Sequence, residues 1–242
     1  SSSAAGVQIN NASGATLGAI TASTGGLSLN SIAGNVSQQA STVVDAGTLS
    51  GNTLGGVVDL SNTGNAFNYI GTLSTSGGGL SVLDDSGDLS ITGAVSAASG
   101  TVKIRTAGSL TQNQGITAGA AGDAIVLSAI NNYTNSVSAS ALSATHGSGR
   151  WLVYSANPAG NAFNSLSSGN AAVWNSTYAL NAPATIAAGN RYVFSFQPTA
   201  NVTANAMSRV YDGSTTFAPA THAVSGLVNA ATYGNVFTQD AL

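Results

Sequence analysis

Glycines recur through residues 71–122 at a fixed step. Gly71, Gly93 and Gly115 are spaced by 22, and so are Gly78, Gly100 and Gly122. A third mark, Gly87 and Gly108, repeats after 21. Each mark is followed by a short alternating apolar run. These are Thr72-Leu73 and Ala94-Val95 after the first, Leu80-Ser81-Val82, Val102-Lys103-Ile104 and Ala124-Ile125-Val126 after the second, and Leu89-Ser90-Ile91 and Leu110-Thr111 after the third. Three strand-like runs per period cannot each bury a face alone. Stacking the equivalent run of the next period alongside gives every backbone N–H and C=O a partner at ~4.8 Å.

The reading is an all-β chain, a right-handed parallel β-helix with three strands per ~22-residue rung. It places Leu80 over Val102 over the 124–126 run, and Leu73 over Val95 over Ile116. A β-sandwich would show longer alternating strands at irregular spacing.

Composition suits a stacked coil and removes several function classes. Only 5% of residues are charged, against about 25% in an ordinary globular protein. Yet 43% are hydrophobic, which is not the make-up of a disordered chain. Five basic residues (Lys103, Arg105, Arg150, Arg191 and Arg209) and a net charge of −3 leave no basic stripe for nucleic acid. With no cysteine there are no disulfides, thiol nucleophiles or thiolate metal sites. No apolar run approaches the ~18 residues of a spanning helix, so no membrane insertion is expected. Ser1–Gly6 is unlike a secretion signal, so the expectation is a processed protein or an internal piece of a longer one.

Upstream, Gly18, Gly25 and Gly34, then Gly47, Gly55 and Gly64, continue the marks with looser steps of 29–30 and then 23–24. The longer step reads as one turn plus an insertion around Ser37–Asp45. Residues 131–148 blur the pattern. It returns with Gly149–Tyr154, and Gly160-Asn161-Ala162-Phe163-Asn164 repeats Gly64-Asn65-Ala66-Phe67-Asn68 letter for letter. Both tryptophans and most aromatics follow residue 130. An open coil end exposes core and strand edge, so Trp151, Tyr154, Trp174, Tyr178 and Tyr192 are read as an end cap, with stacking on sugars as the other use. The β-helix is expected over 1–196 and a linker over 197–204. A partial β module is expected over 205–242, with an Asp212-Gly213 turn. It is too short to stand alone, so it is truncated or completed by another chain.

In this context several motifs become familiar. The cadence of 87–95, 107–112 and 115–119 resembles the repeats of two-partner-secreted, filamentous-haemagglutinin-like exoproteins. Gly149–Pro158 with Gly189–Phe194 resembles the end of their helical stalk. Tyr211-Asp212-Gly213 resembles the opening of the Ig-like YDG repeats that follow it. The similarity covers essentially the whole chain, and the family's amino-terminal secretion domain has no counterpart here. The resemblance implies a structural stalk or fibre segment of a Gram-negative surface adhesin, acting in attachment or biofilm. The partners it implies are an outer-membrane secretion protein, other copies in a fibre, and surface glycans. It implies no cofactor and no enzymatic role.

Single residues add little chemistry. His146 and His222 are 76 apart and read as solvated loop residues, with no nucleophile or orienting carboxylate assigned to them. Asp84, Asp85 and Asp88 read as a turn, with Lys103 and Arg105 one rung above and a surface ion pair between them. Their alternative roles, calcium binding or polysaccharide cleavage, lack the Gly/Asp nonapeptide and a convergent charge set. No phosphate-binding Gly-Lys-Ser/Thr loop and no regular Thr-x-Thr face is present.

Overall fold

The computed structural model describes residues 6–206 except 32, then 208, 210, 213 and 222–238. The chain is a parallel β-solenoid of about seven turns, followed by a small antiparallel ribbon. One sheet stacks eight strands in chain order: Ala15–Leu17, Val36–Gln38, Val58–Leu60, Leu80–Asp84, Val102–Thr106, Gly122–Ala129, Gly149–Ser155 and Arg191–Phe194. The other sheet has ten strands and carries the remaining two sides of each turn. Ile20–Ser31, Val44–Thr53 and Ala66–Thr75 bend through both of those sides. From Leu89–Ile91 and Val95–Ala97 onward, separate short strands take them.

The register agrees with the spacing. Val102 pairs Leu80 on one side and Ile125 on the other, and Val95 pairs Leu73 and Ile116. In Leu80–Asp84 and Val102–Thr106 every second residue is buried. A continuous column of Leu, Val and Ile therefore fills the coil, each side chain contributing about 1.5–3 kcal/mol of burial.

Close approach at one corner explains the regular step. A Cβ on Gly100 would lie 2.2 Å from the Gly78 oxygen, one on Gly78 2.5 Å from the Gly56 oxygen, and one on Gly56 2.2 Å from the Gly34 oxygen. Gly34 and Gly56 also have φ of +84° and +156°. Each corner backbone packs directly on the one before it.

This column corrects the upstream reading. Val36 pairs Val58 and Val58 pairs Leu80, one regular rung each time, so the period gains no net length at Ser37–Asp45. The corner from Gln38 to Val44 is longer than the one from Leu17 to Ile20 beneath it, and the irregularity between Ala22 and Gly26 offsets the difference. That stretch is an ordinary strand and a turn closed by Thr42 N–H to the Gln39 carbonyl. Glycine marks all three sides alike. Gly18 heads the side that starts at Ile20, whereas Gly47 heads the side of Thr48 and Leu49. Counting from one to the other adds one strand to the period. The turns that do lengthen are late. Trp151 stacks on Ile125 after a slightly longer rung, and Arg191 stacks on Leu152 only after a long excursion of the chain.

The small β module expected after the solenoid is an antiparallel ribbon, and its bounds differ from the expected ones. Asn201–Ala204, placed in the linker, is a strand paired antiparallel with His222–Ser225. The chain then returns to the solenoid through the 3₁₀ turn Ala230–Tyr233, and Ala230, Val236 and Phe237 are buried in the main core. Ser168 N–H donates to the Val236 carbonyl and Thr238 N–H to the Asn170 carbonyl. Residues 228–238 thus pack on the coil end. Arg209, Tyr211 and Asp212 lie outside the described residues.

Candidate functional site

The five aromatics singled out from the sequence occupy three different settings. Trp151 and Tyr192 point into the coil, 3% and 0% exposed, with ring centroids 5.1 Å apart edge to face. Phe163, Phe194 and Phe237 complete the cluster around Tyr192. Trp174 is half-buried and stacks on Phe194 at 5.1 Å in the same end plug. Trp151 and Tyr192 therefore offer no face to a sugar. Tyr154 and Tyr178 meet 5.7 Å apart outside the coil, on the outer face of the eight-stranded sheet.

That outer face becomes mainly apolar at its C-terminal end. The interior takes Ile125, Leu127, Trp151 and Val153, while Val126, Leu152, Tyr154 and Val193 point outward. Gly122–Ala129 and Gly149–Ser155 are consequently apolar on both faces, the pattern of a strand covered from both sides. The cover is a flap made by the long excursion 156–190, from which Val173, Tyr178 and Ile186 pack on the outward residues. Arg150 fastens it. Its Nε donates to Asp123 Oδ1 at 2.6 Å, Nη1 to the Ile186 carbonyl at 3.0 Å and Nη2 to the Pro183 carbonyl at 2.9 Å. Tyr154 Oη donates to the Asn181 carbonyl at 2.9 Å. Burial, aided by the Asp123 charge and opposed by that of Arg150, holds the Tyr154 phenol above its ordinary range.

A groove of about 500 Å³ opens where the flap stops. Leu83, Arg105, Ser128, Tyr154 and Val193 form one outward row across the sheet. The flap covers the row at Val193 and Tyr154 and ends with Tyr178, whose ring lies 4.8 Å beneath the Arg105 guanidinium carbon. Ile130, 67% exposed, and a set of hydroxyls including Ser176, Thr177 and Ser195 complete the walls.

The charged residues differ from the expected ion pair. Asp84 is fully buried, one rung below Thr106, and points inward. Its Oδ1 accepts from Phe67 N–H at 3.1 Å, Ser86 N–H at 3.1 Å and Ser86 Oγ at 2.5 Å, and its Oδ2 accepts from Thr106 Oγ1 at 2.8 Å. Asp85 accepts from Gly64 N–H, and Asp88 from Ser109 N–H. These carboxylates hold corners together. Among the described residues the one ion pair is Arg150–Asp123. Arg150 and Arg191 spend their guanidinium donors on backbone carbonyls. Lys103 and Arg105 lie two residues apart on the same outward face. His146 is exposed beside Ser148, 3.0 Å away, and the His222 side chain lies outside the described residues. Among the described residues, no three His, Cys, Asp or Glu side chains gather closely enough to hold a metal ion.

No protein-family model, curated protein or solved structure matches the chain.

Proposed function

We propose that the chain is a structural segment of a secreted bacterial surface adhesin, a stalk or fibre element that serves attachment or biofilm formation. It acts by rigid extension, without covalent chemistry. The observation that supports this reading is the unbroken stack of eight parallel strands in one column. At ~4.8 Å per step it spans about 34 Å of continuously hydrogen-bonded length. The interior is mainly apolar, and the charged groups inside or at its corners are hydrogen-bonded to the backbone.

In this reading the protein reaches the surface of a Gram-negative bacterium through an outer-membrane partner, and copies associate into fibres. Immunogold labelling of producing cells tests the first part. Label on the outer surface is the expected result, and label confined to the cell interior overturns it. Sedimentation across a wide concentration range tests the second. A monomer throughout, with the 201–238 segment folded, removes fibre assembly from the proposal.

A further inference from the structure

We propose that the groove at the flap edge binds a saccharide carrying a carboxylate, with Arg105 as the anion-recognising residue and Tyr178 as its support. This site stands independently of the stalk reading.

Arg105 is half-buried with its guanidinium laid on Tyr178, and no described residue accepts a hydrogen bond from it. A planar fork of donors held against an aromatic ring is pre-organised for a carboxylate and loses little entropy on binding one. Arg150 shows the contrast, since its donors are filled by Asp123 and the flap carbonyls. Lys103, on the same outward face, extends the positive character along the sheet.

The rest of the groove fits a sugar. The Ser128 hydroxyl can donate to and accept from ring hydroxyls. Those of Ser176 and Ser195, which donate to the Trp174 and Ala156 carbonyls, can accept from them, and Ile130 and Leu83 offer apolar contact for C–H faces. The volume, about 500 Å³, falls in the usual range of about 300–1,000 Å³ for small-ligand sites. A peptide has no strand edge to join there, because Val102–Thr106 is hydrogen-bonded to a neighbour on each side. A phosphate dianion would call for more cations than this face supplies, and Asp85 also lines the groove. A monoanionic carboxylate matches a single guanidinium.

Calorimetric titration of the intact protein with trigalacturonate and with a glucuronate-containing hyaluronan tetrasaccharide tests the assignment, with maltotriose and penta-aspartate as comparators. Saturable binding of at least one acidic saccharide, weaker for both comparators, is expected. Arg105→Gln lowers that affinity about tenfold or more. Ile130→Glu changes an exposed residue at the mouth and lowers it comparably by repulsion, with circular dichroism and the thermal midpoint unchanged. The proposal is overturned if neither acidic saccharide binds at millimolar concentration. It is equally overturned if a comparator binds as tightly, or if folded Arg105→Gln and Ile130→Glu both bind as the parent does.

Discussion

Asn65 and Asn161 each bond a backbone amide one turn earlier in the coil: Asn65 Oδ1 accepts from Val44 N–H and Asn161 Oδ1 from Tyr133 N–H, both at 2.8 Å. The two sit in the letter-for-letter repeat, at the entrance to the same side of the solenoid. Asn65 is fully buried, and its Nδ2 donates to the Leu60 carbonyl and to Gln38 Oε1. Replacing it with Ala strands the Val44 amide and two acceptors, a cost of about 2–3 kcal/mol. Asn161→Ala is expected to cost less, because the Asn161 side chain donates only to Ser155 Oγ. Urea midpoints of the two variants check the order, and equal midpoints would refute it.

The corner glycines make a sharper test. Gly100→Ala drives a Cβ to within 2.2 Å of the Gly78 oxygen, and neither backbone can move without unpairing strands. A loss of about 3 kcal/mol or more is expected. Gly115→Ala meets nothing within 4 Å. It should be neutral, or stabilising by about 0.4–1 kcal/mol through the unfolded chain. Comparable losses at both sites would show that close approach is not what the repeat preserves.

Asp84 should behave as a structural carboxylate. Its four donors come from Phe67, Ser86 and Thr106, so Asp84→Ala leaves the buried Phe67 amide without a partner, removes the buried bond from Thr106, and is expected to cost about 3 kcal/mol. Asp88, whose partner is the Ser109 amide at an exposed corner, should tolerate Ala with about 1 kcal/mol lost. Thermal melts of the two variants separate them.

Alkali should destabilise the coil from its aromatic end. Burial raises the phenols of Tyr133 and Tyr192 above the ordinary 10.0, with Tyr133 adding to the shift at Tyr192. Below pH 10 both states hold these protons and stability is unaffected. Above it the unfolded chain ionises while the folded one does not. The native state then binds more protons, and stability falls as pH rises, by up to about 1.4 kcal/mol per pH unit for each tyrosine. Tyr133→Phe should flatten that fall. Denaturation midpoints that stay level from about pH 8 to about pH 12 would contradict the sign.

Phe237→Ala probes the returning segment. The ring contacts Phe163, Trp174, Tyr192, Phe194 and Tyr233 and is 1% exposed. A loss of about 3–5 kcal/mol is expected, with faster hydrogen exchange at Tyr192–Phe194. A change of less than about 1 kcal/mol would mean the plug contributes nothing to the coil.

The period and the stacking partners were legible because close packing at one corner forces glycine to recur in step, and alternation in Leu80–Asp84 sets which residues face inward. The same alternation places Asp84 inside beside Leu80 and Val82, a signal outweighed in the sequence by the turn preference of Asp. The upstream phase was not legible, since Gly18, Gly25 and Gly34 mark different sides in identical fashion. The flap left a trace in the doubly apolar runs Ile125–Leu127 and Trp151–Tyr154, which need cover on two faces. The groove left none, because it exists only where Tyr178 meets Arg105 from a distant part of the sequence. Phe237 likewise reaches its partners through contacts that no local pattern encodes.

The corner column of Gly34, Gly56, Gly78 and Gly100 has a genetic consequence. Gly56, Gly78 and Gly100 are each locked against the backbone of the member before them, and Gly34 against Ser13 and Gly14, so point substitution there is punished at every copy. Removing or duplicating one whole rung in register restores each contact to an equivalent neighbour. The heritable unit of change along this stretch is the complete turn, and related chains should differ in number of turns more readily than in the residues that form the corner.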